Sequence, residues 1–437
     1  MEENQIVLGI LVGGGPAPGL NKVIASSTIY AISLGWKVLG FQDGYRHLIT
    51  GDLKEVQENT LELTYDLVSF NSKLGGSILR SDRFDPTRSY QNMVNIHSIF
   101  ATLHIRYFLV FGGNQNITGA HILMQGFDPA KIQTIVIPKT IDNDVMLPEG
   151  QDTFGHHSAY IFGSKIIKNL MQDSKSAPRW FIVQTMGKRS GHLALNIACA
   201  TGAHLAIIPE DFRNRRITLE QICDIIEGTV IKRLARGMNF GVCLISEGVI
   251  DQMTPSSIQS LIISGCASCN SEGQIILDEV ELSRAIVKEL KKRFENKFKS
   301  SENILPVRFA SKKMGYELRS APPCAFDCQY ADDLGYAAIE GFIHHHSNCV
   351  VIWQNGTITY KSFRELMDPA TGRIIPKRVN VENQNYKIMQ EYFWNIKVKD
   401  LRQKSLVTKM AEIEKLSLEK FVKRFNKVVE LTQSNPK

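Results

Sequence analysis

The stretch "IQTIVIPKTIDNDV" (residues 132–145) places a short apolar run directly before a cluster of charged and polar side chains. A continuous apolar run of this length is typical of a parallel strand that is covered on both faces. Ligands of open α/β sheets bind beyond the carboxyl ends of such strands, so we expect the cluster to face a ligand. A simple turn or helix cap, which Asp and Asn often form, is the alternative interpretation.

Strand-like and helix-like patterns alternate on both sides of this stretch. Further strands are expected at residues 5–13, 36–42, 105–113, 179–185, 204–210 and 240–248, with helices at about 19–35, 153–171, 191–202 and 218–235. This alternation predicts an α/β protein with doubly wound, mainly parallel sheets. The amphipathic run at residues 406–431 predicts a C-terminal helix.

Composition excludes several classes of protein. The 437 residues are 43% hydrophobic and 22% charged, which is typical of a globular chain with two or more packed domains. No apolar run approaches the roughly 20 residues that span a bilayer, so we expect neither a signal peptide nor a membrane helix, and a cytoplasmic location. The eight cysteines are too sparse for a disulfide framework. A net charge of +7 without a basic stripe weakly favours small anions and does not indicate nucleic acid.

Two glycine-rich loops follow predicted strands. They read "VGGGPAPGLN" (residues 12–21) and "FGGNQNITGA" (residues 111–120), and each opens onto a predicted helix. Glycine lets backbone N–H groups approach an anion closely, and a helix N-terminus adds partial positive charge. Each loop alone could simply be a turn. Together with the cluster after residue 138, they predict a phosphate site at one edge of a sheet.

Seven motifs occur along the chain in this order: "GGGPAPGLN", "GGN", "PKTIDND", "TMGKRSGH", "IPED", "ISEG" and "GYELRSAPPCAFDCQYADDLG". Together they resemble the successive motifs of the phosphofructokinase family. The resemblance covers roughly residues 5–360, and the heptapeptide at residues 138–144 is its most specific part. It implies transfer of a phosphoryl group to the 1-hydroxyl of fructose 6-phosphate, with Mg²⁺, in a two-domain protein. A homo-oligomer, dimer or tetramer, is expected on the same ground.

The resemblance also implies roles for individual residues. Asp142 would be the general base, Asp144 a second carboxylate near the sugar and the metal, and Thr140 a contact of the sugar and the moving phosphoryl group. The other sugar-phosphate ligands would be Arg179, Met186, Gly187, Lys188, Glu247, Tyr316 and Arg319. The donor phosphates would contact Gly14, Gly15, Arg83, Gly113 and Asn114, and the metal would bind Asn114 and Asp144.

Two catalytic positions bear on the phosphoryl donor. Lys139 stands where bacterial ATP-dependent members carry glycine, and a lysine there resembles pyrophosphate-dependent members, although some ATP users share it. Gln115 stands where ATP users have glycine and pyrophosphate users have aspartate, and its bulk should obstruct a nucleotide. Pyrophosphate is therefore the expected donor, and an ATP-dependent 6-phosphofructokinase is an alternative.

Other positions depart from the family pattern. Asn114 replaces an aspartate and Lys188 an arginine, while His156 and His157 occupy "TFGHHSA" (residues 153–159), where a "GFDTA"-like run is usual. Arg80 lies where glycine is common. Most of these changes fall on the donor and metal side, so a catalytically impaired, sugar-phosphate-binding regulatory subunit is a further alternative.

The expected domains follow from the resemblance. Residues 1–154, completed by about 319–350, would form a donor-phosphate-binding lobe. Residues 155–318 would form a sugar-phosphate-binding lobe with an insertion at about 251–303. Residues 360–437 would form a C-terminal helical extension.

Overall fold

The structure is a computed structural model that describes residues 5–128, 131–212, 215–270, 275–276, 279–298 and 307–432. The chain divides into two compact units, and each is built from two separate segments. The first unit comprises Met1–Ile161 and Tyr316–Lys377, and the second comprises Phe162–Gly315 and Arg378–Lys437. The C-terminal region after residue 360 is thus divided between the two units.

The strands of the described residues form two sheets. They are β1 (Val7–Val12), β2 (Lys37–Phe41), β3 (Thr60–Glu62), β4 (Ile105–Gly112), β5 (Gln133–Pro138), β6 (Trp180–Thr185), β7 (Leu205–Ile207), β8 (Gly241–Ser246), β9 (Phe309–Met314), β10 (Cys349–Gln354) and β11 (Thr357–Ser362). The first unit contains a sheet in the order β11-β10-β5-β4-β1-β2-β3, which is parallel except for its edge strands β3 and β11. The second unit contains the parallel sheet β7-β8-β6-β9. These sheets confirm the predicted α/β fold class.

Helices connect most of the strands. They are α1 (Leu20–Ser33), α2 (Leu53–Glu58), α3 (Tyr65–Asn71), α4 (Tyr90–Thr102), α5 (Asn114–Met124), α6 (His156–Ser176), α7 (His192–Thr201), α8 (Leu219–Leu234), α9 (Pro255–Ile263), α10 (Leu282–Phe298), α11 (Tyr316–Arg319), α12 (Ala325–Ile343), α13 (Phe363–Leu366), α14 (Gln384–Tyr392), α15 (Val398–Arg402), α16 (Lys404–Glu414) and α17 (Leu418–Thr432). No helix among these has both the length and the apolar character needed to cross a bilayer.

The predicted C-terminal helical region is confirmed, but it forms two helices, α16 and α17, instead of one. The chain turns between them at Lys415, whose φ of 54° lies in the left-handed region. The residues that follow restart the helix in a new direction, and the apolar faces of both helices pack into the core of the second unit through Met410, Phe421 and Phe425. The apolar spacing continues through the break, so the sequence pattern did not reveal it.

The core explains why the strands of the first unit are so apolar. Every residue of β1 and β5 is buried, and alternate side chains enter two different hydrophobic clusters on opposite faces of the sheet. Leu8 and Ile135 belong to one cluster, whereas Leu11 and Val136 belong to the other. Burial on both faces is the condition that a continuous apolar strand satisfies.

The order of the strands places three loops together. Because β5, β4 and β1 are parallel neighbours, the segments after Pro138, Gly112 and Val12 leave the sheet at the same edge. Backbone hydrogen bonds continue beyond the strands, from the N–H of Gly13 to Phe111 at 2.9 Å and from the N–H of Lys139 to Gly112 at 3.0 Å. Both glycine-rich loops and the charged cluster therefore lie side by side, as the sequence predicted.

Candidate functional site

Lys139 lies buried beneath the first glycine-rich loop. Its side chain is only 3% exposed, and its Nζ donates to the carbonyl of Gly13 at 2.8 Å and also to that of Gly15. Burial, together with the nearby positive charges of Arg319 and Arg83, lowers the pKa of Lys139 to about 7. The three cations therefore repel one another, which an anion bound among them would relieve.

The glycines of this region make room for specific side chains. A Cβ on Gly15 would lie 2.1 Å from Nη2 of Arg319, so Arg319 rests directly on the loop. A Cβ on Gly13 or Gly112 would lie 2.0 or 2.3 Å from the side chain of Asn116. The sequence analysis did not identify Asn116, and the only available signal was its place in the polar run "NQN" after the glycine pair.

The turn at residues 140–144 presents two carboxylates. The N–H of Asp142 donates to Oγ1 of Thr140 at 3.1 Å, and the carbonyl of Thr140 accepts from Oγ1 of Thr153 at 2.8 Å. Asn143, between the two aspartates, has a φ of 55° and is buried. Asp142 and Asp144 are both half-buried. A residue in the left-handed region reverses the chain locally, and here it separates two half-buried acids.

Asn114 is the residue that contacts Asp144. Its Nδ2 donates to the carbonyl of Asp144 at 3.0 Å and to Oδ2 of the same residue at 3.1 Å. Its Oδ1 is buried without a hydrogen-bond partner among the described residues. The unsatisfied amide oxygen of Asn114 and the carboxylate of Asp144 are both hard oxygen ligands, the kind that Mg²⁺ prefers. These two residues therefore fit the metal expected from the sequence.

A conventional metal cluster does not occur in the part of the chain that the structure describes. No three His, Cys, Asp or Glu side chains there are placed to hold one ion together. The replacement of an aspartate by Asn114 leaves Asp144 as the acidic member of the pair. We therefore expect any Mg²⁺ here to depend on further oxygen ligands from a bound phosphate.

The remaining residues of the donor side surround the same loops. Gly113 precedes α5 as its N-cap, and Gln115 is exposed in the first turn of that helix. The carbonyl of Asp82 accepts from the N–H of Gly14 at 2.8 Å, which fastens the segment carrying Arg83 to the first loop.

Arg80, at a position where glycine is common in the family, has a left-handed backbone conformation. Its φ is 54°, a conformation that glycine adopts more easily, and its guanidinium pairs with Asp43 at 3.1 Å. The same guanidinium donates to Oε1 of Gln42 at 2.7 Å, so two side chains hold this arginine.

The second unit carries several of the residues predicted to bind the sugar phosphate, and they follow the ends of β6 and β8. Gly187 has a φ of 131°, and a Cβ there would lie 2.6 Å from the carbonyl of Ser190. The carbonyl of Gly187 accepts from the N–H of Gly248 at 3.1 Å and from Oγ of Ser246 at 2.9 Å. These bonds join the loop of Met186, Gly187 and Lys188 to the segment of Glu247. Glu247 is 7% exposed, whereas Lys188 is exposed.

Glu210 is a residue of this region whose function the sequence analysis did not identify. Its carboxylate is 1% exposed and accepts from the N–H of Gly191 at 3.1 Å and from the N–H of Val379 at 2.9 Å. Burial raises the pKa of Glu210 in spite of these bonds. The carboxylate thus ties the end of the Lys188 loop to the C-terminal segment, and the acidic pair in "IPED" was the available signal.

The predicted sugar-phosphate residues do not all meet within one unit. Tyr316 and Arg319 belong to the first unit, where the guanidinium of Arg319 lies 5.4 Å from the ring centre of Tyr316. Arg179 belongs to the second unit but precedes β6, whereas Lys188 follows it. Six strand residues separate them, so the two side chains leave the backbone at opposite ends of β6, about 20 Å apart.

Comparison with known proteins identifies the family that this chain resembles. The family model described as Phosphofructokinase matches residues 7–342. The pyrophosphate–fructose 6-phosphate 1-phosphotransferase of Naegleria fowleri is 34% identical over 435 residues, which cover 98% of this chain and 97% of that protein. The enzyme of the same name from Thermotoga maritima is 35% identical over 430 residues, which cover 97% of this chain and 99% of the relative.

A solved structure shares the fold at much lower identity. The pyrophosphate-dependent phosphofructokinase from Marinobacter aquaeolei aligns with a TM-score of 0.62 and 16% identity, covering 89% of this chain and 91% of that one. The similarity in sequence and in fold reaches well beyond the motif at residues 138–144.

Proposed function

We propose that this chain, which belongs to the phosphofructokinase family, transfers a phosphoryl group from pyrophosphate to the 1-hydroxyl of fructose 6-phosphate. The product is fructose 1,6-bisphosphate. The observation that carries the choice of donor is the buried Lys139 beneath the first glycine-rich loop, flanked by Arg319 and Arg83. This compact group of cations suits a small, highly charged donor.

Asp142 acts as the general base in this proposal. Phosphoryl transfer needs little covalent chemistry from the protein, and a positioned carboxylate accepts the proton of the sugar hydroxyl as it attacks phosphorus. The bond from the N–H of Asp142 to Oγ1 of Thr140 orders the turn that carries the base. Thr140 then lies beside the base, within reach of the same reacting groups.

Lys139 supplies positive charge to the phosphoryl group in transit. Charges that are already in place and held away from water stabilise a transition state more strongly than mobile ones in solvent. The two carbonyls that accept from Nζ fix the position of this cation under Gly14 and Gly15. The N–H groups and helix N-terminus of the second loop, at Gly113 and Asn114, complete the cradle for the donor.

The side chain of Gln115 favours pyrophosphate over ATP as the phosphoryl donor. Its exposed side chain stands in the first turn of α5, next to the loop that would hold the donor. A side chain of this size leaves less room for the ribose and base of a nucleotide than glycine does. The names of the two relatives that cover nearly the full chain specify the same donor.

Mg²⁺ would be held by Asn114 and Asp144 together with phosphate oxygens of the donor. When bound, the ion neutralises charge on the phosphates and orients them. The buried, unsatisfied Oδ1 of Asn114 and the carboxylate of Asp144 support this assignment.

Fructose 6-phosphate would be bound by the residues assigned to it from the sequence. In the second unit, Glu247 is held beside the Lys188 loop by the bonds to the carbonyl of Gly187. A buried carboxylate is suited to sugar hydroxyls, and an exposed ammonium is suited to a phosphate. The family resemblance assigns the same substrate to Tyr316, Arg319 and Arg179.

A catalytically impaired regulatory subunit is a second candidate function. The hydrogen bond from Asn114 to Asp144 favours this candidate. Two carboxylates, as the family has here, would need a cation between them, whereas the amide of Asn114 binds Asp144 without one. Such a protein would bind fructose 6-phosphate without turning it over.

The donor assay separates these candidates. Purified protein receives fructose 6-phosphate, Mg²⁺ and either pyrophosphate or ATP, and the formation of fructose 1,6-bisphosphate is measured. We expect turnover with pyrophosphate and at most a trace with ATP. Preference for ATP would overturn the choice of donor. Absence of turnover with both donors, with fructose 6-phosphate still binding in calorimetry, would support the regulatory subunit.

Assembly and location are proposed from the family resemblance alone. We propose a homo-oligomer, dimer or tetramer, in the cytoplasm. Light scattering on the eluting peak of a size-exclusion column measures the mass directly. A monomer at micromolar concentration would contradict the proposed assembly.

A further inference from the structure

A group of side chains outside the assigned catalytic residues holds the turn that presents Asp142. The turn passes through the left-handed region at Asn143, whose φ is 55°, a conformation that few residues other than glycine and asparagine adopt readily. Both ends of the Asn143 side chain are engaged. Its Oδ1 accepts from the N–H of Thr153 at 3.1 Å, and its Nδ2 donates to Oδ1 of Asp152.

Asp152 is in turn fixed by two basic side chains. Its Oδ2 lies 3.1 Å from Nε2 of His157, and its Oδ1 lies 3.8 Å from Nζ of Lys377. Burial works to raise the pKa of Asp152, but the bond from His157, the neighbouring basic groups and the bond from Asn143 together lower it well below its usual range. The carboxylate is therefore ionised throughout the physiological pH range and accepts hydrogen bonds from two directions.

The ring of His157 cannot turn freely. It stacks on Phe326 with the ring centres 4.1 Å apart, and its Nδ1 lies 3.2 Å from the hydroxyl of Tyr160. The first turn of α6, which carries His157, is anchored by buried Asp327, whose carboxylate accepts from the N–H of Gly155 at 2.9 Å and of Ser158 at 2.7 Å. The chain of contacts from Asp152 thus ends in the anchored first turn of α6.

We propose that Asp152 is a positioning residue for phosphoryl transfer, which through Asn143 fixes the turn that aims Asp142 at the sugar hydroxyl. The inference rests on the proposed function. Neighbouring hydrogen bonds hold the rest of the turn. The hydroxyl of Thr153 donates to the carbonyl of Thr140 at 2.8 Å, and Nδ1 of His156 lies 2.6 Å from the carbonyl of Ile141. Asn143 is the left-handed link between the two aspartates, and Asp152 accepts a hydrogen bond from its side chain.

A small displacement of the base is enough to affect the rate. Misplacement of a reacting group by about 1 Å can reduce a rate by about 100-fold, because the reacting atoms no longer meet in the productive geometry. Substrate affinity depends on other residues and should change little. A positioning role therefore lowers kcat, whereas a role in stability alone lowers the melting temperature and leaves kcat of the folded protein unchanged.

The first test compares Asp152→Ala with Asp152→Asn in the full-length protein. We expect Asp152→Ala to lower kcat with pyrophosphate by about 10- to 100-fold, with KM for both substrates within about threefold. Asp152→Asn should fall between this variant and the wild type, because its amide oxygen still accepts from Asn143. The matched control is Glu340→Gln in the same unit, which weakens the hydrogen bond from Tyr30 and should change the melting temperature without changing kcat at 25 °C.

Hydrogen exchange provides a readout that does not depend on activity. Amides of residues 139–146 should exchange faster in Asp152→Ala than in wild type or in Glu340→Gln. Unchanged exchange in this segment overturns the proposal, whether or not the wild type uses pyrophosphate. Wild-type kcat in folded Asp152→Ala also overturns it. A wild-type protein without any phosphoryl transfer refutes the proposed function instead, and the exchange result then decides alone whether Asp152 holds the turn.

A second pair of variants covers the case in which Asp152→Ala does not fold. Asn143→Gly keeps the left-handed backbone accessible but removes the side chain that Asp152 holds, whereas Asn143→Ala also strains the backbone. We expect both to lower kcat, and Asn143→Ala to lower the melting temperature more. Wild-type kcat in Asn143→Gly would contradict the positioning role.

Discussion

Binding of pyrophosphate should draw a proton onto Lys139. In the free protein, burial and the charges of Arg319 and Arg83 bring its pKa to about 7. A bound anion beside an ammonium group raises the pKa of that group by about 1 to 3 units, because the charged form becomes favoured. For the several charges of pyrophosphate we use the upper part of this range, about 2 to 3 units. Lys139 should therefore be largely neutral at pH 8 before the donor binds and charged afterwards.

The size of this effect follows from the pKa. A group with a pKa of about 7 is about 10% protonated at pH 8 and about 90% protonated at pH 6, and a bound pKa of 9 to 10 makes it about 90% protonated or more at either pH. Lys139 should therefore take up about 0.8 to 0.9 proton at pH 8 and about 0.1 at pH 6. By linkage, binding that takes up a proton weakens as pH rises. The contribution of Lys139 to the affinity for pyrophosphate should therefore fall nearly tenfold per pH unit between about pH 8 and its bound pKa of about 9 to 10, and level off above that pKa.

Calorimetry in buffers with different ionisation enthalpies measures the proton uptake. Pyrophosphate changes its own protonation on binding, and the Lys139→Met variant provides that background for subtraction. Lys139→Arg is a second reference, because arginine stays charged and should bind without the extra proton. Lys54→Met changes a side chain that is 85% exposed and serves as a control. Equal uptake by wild type and Lys139→Met at pH 8 would refute the reasoning, as would uptake in the wild type that does not differ between pH 6 and pH 8.

Three substitutions test the other catalytic roles. Asp142→Asn should lower kcat by at least about 100-fold with little change in the binding of fructose 6-phosphate, as expected for loss of a general base; a folded variant within tenfold of wild type would contradict this role. Gln115→Gly should raise kcat/KM for ATP by opening space at the start of α5, and an unchanged donor preference would show that this side chain does not exclude the nucleotide. Asn114→Asp should lower the Mg²⁺ concentration needed for half-maximal rate, because a second carboxylate binds a divalent cation more strongly; a higher requirement would place the ion elsewhere.

The sheets were predictable because burial on both faces leaves a clear pattern. The continuous apolar runs of β1, β4 and β5 indicated parallel strands and brought their loops to one edge. The short elements between β2 and β4 were not predicted. Strand β3 has only three residues, none of them buried, and helix α2 buries only Val56. Elements with so little buried surface carry almost no periodic signal.

The sequence patterns could not predict contacts between residues that lie far apart along the chain. The motif at residues 138–144 indicated Asp142 and Lys139, but the approach of Arg319 to Gly15 depends on how the chain folds back across about 300 residues. The same holds for Glu210, which binds the N–H of Val379. Local spacing can predict a strand, a turn or a cap, whereas such pairs depend on the packing of the whole unit.

The reverse reaction tests the choice of pyrophosphate most directly. Fructose 1,6-bisphosphate, Mg²⁺ and inorganic phosphate are incubated with the protein, and phosphorus NMR follows the phosphate pool, with ADP replacing phosphate in a parallel sample. We predict a pyrophosphate resonance and fructose 6-phosphate in the phosphate sample, no ATP in the ADP sample, and neither product with Asp142→Asn. Formation of ATP from ADP without pyrophosphate from phosphate would contradict the proposed function.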